Sequence, residues 1–300
     1  MKKKLIAFLL SMTLILGVGM PVHADGVDPN ANGQAYLVFG ADLSRDQYEK
    51  VLSYLDVTEE DVADYVTLEV TNEEEHKYLD EYLDSSVIGS KAFSSLKLIP
   101  EEEGAGISIE TTNITYCTVE MYQNALITAG MKDASLTIAG PFELSGTAAL
   151  IGAVKAYADM NGEEVDEEAL ETATNELVLT GELMEDSEGE GVSEMMAYVK
   201  QLVVENDLES EEDIKDAVVD ACDEFNLELS DEQINDVVKL MQKVSKLDID
   251  ANALEEQAQS MYNKLKDMGI DLGKVDTNSI VDFIQRFFDK IVAFFNSLIG

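Results

Sequence analysis

The stretch Ala35-Tyr36-Leu37-Val38-Phe39 predicts a buried strand, because five apolar residues follow one another ahead of Gly40. Ser44-Arg45-Asp46-Gln47 follows a few residues later and has the form of a capping box. In that motif the first and last side chains each accept a hydrogen bond from the other residue's backbone N–H. The motif predicts a helix that reaches about Tyr54. A strand followed closely by a capped helix predicts a domain that combines a sheet with helices.

The same two kinds of signal continue through residue 142. Val66, Leu68 and Val70 alternate with polar residues, as in a half-buried strand. The next four residues, Thr71-Asn72-Glu73-Glu74, form a second capping box and predict a helix that carries His76. Further apolar and turn signals predict strands near 92–99, 106–115 and 134–139, a helix over 119–130, and a hairpin-like loop over 100–105.

After Pro141 the strand signals stop and helical signals replace them. A third capping box, Ser230-Asp231-Glu232-Gln233, lies within this half. The helices are predicted at about 145–157, 164–186, 192–206, 211–225, 231–246 and 251–267. The order predicts an α+β fold. A small mixed sheet with helices on one face spans residues 25–143, and an acidic, all-helical domain spans 144–272.

The first 24 residues have the layout of a secretory signal peptide. Lys2, Lys3 and Lys4 precede an apolar run, and Val22-His23-Ala24 supplies a small-x-small exit. Cleavage after Ala24 would place the mature protein outside the cell or on the outer face of the cytoplasmic membrane.

Charge excludes one class of partner. The net charge of the chain is −41, and nucleic acid is bound by neutralising its phosphates, so we expect no nucleic-acid role. Residues 156–199 contain fourteen acidic side chains and neither lysine nor arginine, so the helices there must pack through apolar faces. We expect no cofactor, and for cations only weak, non-specific binding of divalent ions.

The residues that catalysis would need are scarce, so the sequence favours a protein that is not an enzyme. His76 and Asp80 lie one turn apart on a predicted helix, but two ligands make a poor metal site. Ser94-Ser95-Leu96-Lys97 has the Ser-x-x-Lys spacing of penicillin-binding proteins without their other motifs. We therefore assign no catalytic, cofactor or metal residue. The alternative is an extracellular hydrolase that uses carboxylates or Cys117. Cys117 and Cys222 could form a disulfide or remain two buried thiols.

The C-terminal segment 277–299 predicts an amphipathic helix whose apolar face is unusually broad. Its charged residues argue against a membrane span. Three interpretations stay open: attachment to a membrane surface, docking on the protein's own helical domain, and self-association. The residues expected to contact a membrane or a partner are Phe283, Phe287, Phe288, Ile291, Phe294, Phe295 and Leu298.

Five short stretches carry a family resemblance. They are GADLS at 40–44, TNEEEH at 71–76, IGS at 88–90, MYQNAL at 121–126 and AGPFELSGTAAL at 139–150. Through them the chain resembles the exported domain-of-unknown-function 1002 proteins of Firmicutes. The resemblance implies an exported protein of Gram-positive bacteria and carries over no catalytic residue. Together these observations predict a non-enzymatic protein of the cell envelope that contacts a protein or a membrane surface.

Overall fold

The strand and the capped helix predicted at the start of the sheet both form. The computed structural model describes residues 33–186, 191–225, 227–251 and 253–254. In it β1 covers Tyr36–Gly40 and α1 covers Arg45–Tyr54. Gln47 N donates to Ser44 Oγ, and Ser44 N donates to Gln47 Oε1. The first predicted capping box is therefore confirmed. The predicted signal peptide and the predicted C-terminal helix lie outside the described residues.

The boxes at Thr71 and Ser230 are also complete. The predicted strands, and the predicted helices up to residue 246, form in the predicted order, with a short helix over Ser85–Ile88 in addition. Most of the helix predicted at 251–267 lies outside the described residues. A 3₁₀ turn covers Asp61–Asp64. The strands are β2 Val66–Val70, β3 Ser95–Pro100, β4 Ile107–Ile114 and β5 Ala134–Leu144. The helices are α2 Asn72–Leu79, α3 Ser85–Ile88, α4 Val119–Thr128, α5 Thr147–Asn161, α6 Glu167–Asp186, α7 Val192–Glu205, α8 Glu211–Glu224 and α9 Asp231–Val244.

The strands form one mixed sheet in the order β2-β1-β3-β5-β4. β1 is parallel to β2 and antiparallel to β3, while β5 is antiparallel to β3 and parallel to β4. The hairpin predicted at 100–105 is therefore wrong, because β5 lies between the two strands that this loop connects. Leu96 pairs with Ile138 across that junction. The apolar and turn signals around β3 and β4 predicted two strands but could not predict their partners.

The two faces of the sheet carry different helices. Val38 and Leu96 point into a core that also contains α4, α5 and the first half of α6. Leu37 and Phe39 point the other way and pack against α1 through Val51. The α+β class and the mixed sheet are thus confirmed. Most helices cover one face, as expected, and α1 covers the other because residues alternate between the faces of β1.

A second core lies among α7, α8, α9 and the end of α6. Helix α6 belongs to both cores: Leu177 packs towards the sheet, and Leu183 packs towards the helical half. Helix α5 packs on the sheet through small residues such as Gly152, so the two hydrophobic cores meet along α6. The division into domains at 143 and 144 stays a prediction. Among the described residues, no helix is long and apolar enough to cross a membrane.

Candidate functional site

The stretches that carried the family resemblance converge at one edge of the sheet. β1 and β2 both end there, at Gly40 and Val70, and the chain enters α2 just after Val70. β3 begins at the same edge because it is antiparallel to β1, and β5 ends there because it is antiparallel to β3. In open sheets with helices on their faces, ligands bind outside the carboxyl ends of the strands. This edge of the sheet is therefore the first candidate site.

Glu75 is the buried acid of the edge, with 2% of its surface exposed. Its Oε1 accepts a hydrogen bond from Thr147 Oγ1 at 2.7 Å, and its Oε2 accepts one from Asn72 Nδ2 at 3.3 Å. Burial raises the pKa of Glu75 despite these two donors. The carboxyl group thus links the first turn of α2 to the first residue of α5, and both of its oxygens take part in this structural contact.

Both ring nitrogens of His76 have partners. Nδ1 lies 2.6 Å from Asp80 Oδ1, and Nε2 lies 3.0 Å from the carbonyl oxygen of Gly89. The hydrogen bond to Asp80 is the main reason why the pKa of His76 is raised. The structure thus brings together the two residues that sequence spacing had paired. No group of three or more His, Cys, Asp or Glu side chains within the described ranges is arranged to hold a metal ion.

The two cysteines lie in different cores and are free thiols. Cys117 is 3% exposed, and burial raises the pKa of its thiol to about 12. Burial also raises the pKa of Cys222, to about 11. Because the thiolate is the nucleophilic form, neither cysteine is poised for attack at neutral pH.

The Ser-x-x-Lys spacing does not produce a catalytic pair. Ser94 Oγ accepts a hydrogen bond from the backbone N–H of Ala149, at the start of α5. Lys97 Nζ donates to the carbonyl oxygen of Leu55, which follows α1. Since α5 and α1 cover opposite faces of the sheet, Ser94 and Lys97 point away from each other.

A cleft between α2, α6 and α9 is a second candidate site. It lies away from the strand ends. Its volume is about 550 Å³, within the range of small-molecule sites. It lies where the sheet half meets the helical half. Its lining is polar and aromatic and consists of Lys77, Tyr78, Glu81, Tyr82, Glu167, Glu168, Glu171, Thr172, Lys243 and Lys246.

One end of the cleft contains a closed ring of three side chains, Lys77, Tyr78 and Glu167. Lys77 Nζ lies 2.8 Å from the Tyr78 hydroxyl and 2.9 Å from Glu167 Oε2. The Tyr78 hydroxyl donates to the same Oε2 atom at 2.9 Å. The lysine ammonium also lies 4.4 Å from the centroid of the Tyr78 ring. We call this ring the first triad.

The second triad repeats this arrangement with Lys243, Tyr82 and Glu171. Lys243 Nζ lies 3.1 Å from the Tyr82 hydroxyl and 3.2 Å from Glu171 Oε1. The Tyr82 hydroxyl donates to Glu171 Oε1 at 2.9 Å. The ammonium lies 5.3 Å from the centroid of the Tyr82 ring. The cleft therefore contains two copies of one Lys–Tyr–Glu arrangement, built from helices far apart in sequence.

The sequence contained a partial signal for this pairing. Glu167 and Glu171 are four residues apart and share one side of α6, and Tyr78 and Tyr82 have the same spacing, although Tyr82 lies beyond the end of α2. Nothing in the spacing showed that these pairs face each other. The seven apolar residues predicted as contacts in the C-terminal helix, from Phe283 to Leu298, lie outside the described residues.

Comparison with known proteins gives one family and one relative, neither with an assigned function. A family model described as "Protein of unknown function (DUF1002)" matches residues 39–261. The chain is 37% identical over 297 residues to "Uncharacterized protein YpuA" of Bacillus subtilis (strain 168), covering 98% of this chain and 100% of that protein. No solved structure matches.

Proposed function

The chain belongs to the DUF1002 family, whose description assigns no function. We propose that it is an exported, non-enzymatic interaction protein of the cell envelope. It binds its ligand in the cleft between α2, α6 and α9. Its C-terminal segment holds it at the membrane surface. Export rests on the signal-peptide layout of residues 1–24, and attachment rests on the broad apolar face predicted for 277–299.

The proposal rests on one observation: the potentially nucleophilic side chains are buried or hydrogen-bonded, whereas the charged side chains of the cleft are exposed. The groups with nucleophilic potential are inaccessible or occupied: Cys117 is buried with a raised thiol pKa, and both nitrogens of His76 have partners. The charged groups of the cleft are accessible, and the ion pair between Lys77 and Glu167 is more than half exposed. Exposed ion pairs contribute little stability, so a ligand can replace them at small cost. This contrast favours binding over the alternative, an extracellular hydrolase.

The test is whether envelope material binds in the cleft. Small molecules released by digestion of the native cell envelope would be added to the ¹⁵N-labelled mature chain. We expect amide resonances of α2, α6 and α9 to shift, with those of α8 unaffected. A variant with Lys77→Glu and Lys243→Glu should lose the shifts. Lys239→Glu, on α9 but absent from the cleft lining, is the matched control. Shifts that persist in the double variant, or none in the cleft, would overturn the proposal.

A further inference from the structure

The two hydrogen-bond partners of the His76 ring are both acceptors. Nδ1 faces the carboxylate of Asp80 at 2.6 Å, and Nε2 faces the carbonyl oxygen of Gly89 at 3.0 Å. A neutral imidazole carries one N–H group, whereas the imidazolium carries two. Both contacts can therefore be hydrogen bonds only while His76 is protonated. In that form the ring joins α2 to the loop between α3 and β3.

The charged groups around the ring favour its protonated form. Asp80 and Glu75, on the same helix, both raise the pKa of His76. Helix α3, which packs on α2, contains no titratable side chain, and Asp84 before it caps that helix. Within the described residues, the ion pairs that α5 and α6 make with α2 go to residues other than His76: Lys155 pairs with Glu74, and Glu167 pairs with Lys77.

The loop that His76 holds runs across the carboxyl ends of β1 and β2. At one end, Gly89 lies against α2, which follows β2. At the other end, the backbone N–H of Ala92 donates to Asp42 Oδ2 at 2.9 Å, and Asp42 N donates to Ala92 O at 3.1 Å, in the loop after β1. We call residues 89–91 the strap. The strap occupies the edge at which ligands bind in open sheets, the first candidate site.

Gly89 has the geometry of a hinge for the strap. Its φ of 80° and ψ of −167° lie in a region that is essentially restricted to glycine. Its N–H donates to Ser85 O at 2.8 Å, so rotation about ψ moves the carbonyl group without breaking the end of α3. Besides His76, the carbonyl oxygen accepts a longer bond of 3.4 Å from Asn72 Nδ2, an amide group that also donates to Glu75. His76 therefore makes the shorter of the two contacts that fix this carbonyl group.

We propose that His76 is a pH-operated latch for the strap. While the ring is an imidazolium, it donates to Asp80 and to Gly89 together. When the ring releases a proton to solvent, the remaining N–H stays with the carboxylate, because hydrogen bonds to charged acceptors are the stronger ones. Nε2 then directs a lone pair at the carbonyl oxygen of Gly89, and the strap moves away and opens the edge. The latch is independent of the cleft and of membrane attachment.

The ring of His76 can be followed alone, because the mature chain, without the predicted signal peptide and its His23, contains no other histidine. Nitrogen-15 spectra of the ring and of the backbone amides would be recorded between about pH 5 and pH 9. We expect both ring nitrogens to be protonated at low pH and only Nδ1 at high pH. The amide resonances of residues 89–91 should shift with the same midpoint as the ring, while those of α8 should not.

Nuclear Overhauser contacts separate opening of the strap from a mere change of charge. Contacts between the His76 ring and Gly89 should be present at low pH and lost at high pH. His76→Ala, which cannot bond to Gly89, should hold the strap resonances near their high-pH positions at every pH. Thermal melting would verify that this variant folds. If it does not fold, the titrations of the parent protein and of Asp80→Asn decide the question.

Asp80→Asn removes the main cause of the raised pKa of His76. It should lower the proton affinity of the ring about tenfold and move the midpoint of the strap resonances equally. Glu73→Gln removes an exposed carboxylate from the same helix and is the matched control, which should move neither midpoint. Three results would each overturn the proposal: strap resonances or ring contacts that do not follow the ring, a ring that is neutral at about pH 5, or an unchanged midpoint in Asp80→Asn.

Discussion

Lys200 Nζ lies 2.9 Å from Glu176 Oε1, and neither side chain has any exposed surface. Lys200 also donates to the carbonyl oxygen of Asn124 at 2.7 Å, and Thr128 donates to Glu176 Oε2 at 2.5 Å. The pair therefore joins α4 from the sheet half to α6 and α7. Lys200 is the first cation after a stretch of fourteen acidic residues without one, and it is the partner of the fully buried Glu176 in that stretch.

Removing only the positive charge of Lys200 should lower the free energy of unfolding strongly. Lys200→Met would leave the carboxylate of Glu176 buried without a counter-charge, which destabilises proteins by about 3–5 kcal/mol. The double variant with Glu176→Leu removes both charges and should recover most of that loss. Urea unfolding of the two variants measures the difference. Lys239→Met, in an exposed pair with Asp236, is the control and should cost under about 1 kcal/mol. Equal losses in the single and double variants would contradict the role of the pair.

Glu75 should make stability fall as pH rises. Its raised pKa means that the folded state binds the proton more tightly than the unfolded state does. Between the ordinary glutamate pKa, about 4.3, and the raised value, the folded state therefore holds more protons, and the free energy of unfolding decreases with rising pH. Glu75→Gln keeps an acceptor for Thr147 and should remove this part of the pH dependence.

Urea unfolding of the Glu75→Gln variant between about pH 4 and pH 8 gives the comparison. At neutral pH the variant should be at least as stable as the parent protein. Glu110→Gln, at an exposed position of β4, is the control and should keep the parent slope. If the slopes of the parent protein and Glu75→Gln coincide, burial does not shift the carboxyl group as described.

The thiols should react only when the protein unfolds. The pKa of Cys117 is raised to about 12 and that of Cys222 to about 11, so both remain protonated at neutral pH, and both are buried. A thiol reagent should label the native protein slowly and the urea-unfolded protein rapidly at two sites. Fast labelling of Cys117 in the native state would revive the hydrolase alternative.

Local patterns predicted much of the secondary structure. The capping boxes at Ser44, Thr71 and Ser230 were readable because both partners in each box lie within four residues. The alternation from Val66 to Val70 predicted a strand for the same reason. The strand at 134–139 was predicted too short, because β5 continues to Leu144 through a pairing with Ile114 that is not local.

Relationships between distant segments could not be predicted. β5 separates β3 from β4 through pairings such as Leu96 with Ile138, and nothing near Pro100 indicates this. The triads of the cleft join residues such as Tyr82 and Lys243, whose positions differ by 161. Their contact depends on how α2, α6 and α9 pack, and hydrophobic periodicity gives the buried face of a helix but not its neighbour.

Gly152 should tolerate no methyl group while Val38 is in place. It lies in α5 against the sheet, where an added Cβ would be 2.8 Å from Val38 Cγ1 and 3.2 Å from Val70 Cγ2. Gly152→Ala should therefore destabilise by about 1–3 kcal/mol, against the helix propensity that favours alanine. Combining it with Val38→Ala makes room for the methyl group. In urea unfolding, the double variant should therefore lose less stability than the sum of the losses of the two single variants. Strict additivity would show that α5 does not pack this closely.

Deleting residues 277–300 should release the protein from the membrane into the medium. The predicted polar face balances Asp282 and Asp289 against Arg286 and Lys290, so attachment would depend on apolar insertion and not on lipid charge. We therefore expect high salt to leave the full-length protein in the membrane fraction and detergent to extract it.

Two matched variants separate the apolar face from the mere presence of the segment. Phe287→Glu with Phe294→Glu should act like the deletion, because both changes place charges on the inserted face. Gln285→Glu with Asn296→Asp adds the same charge to the polar face and should leave the fractionation unchanged. Release by salt, or identical fractionation of the truncated and full-length proteins, would reject membrane attachment. The segment would then dock on the protein's own helical half or on a second copy, which sedimentation of the full-length and truncated chains would distinguish.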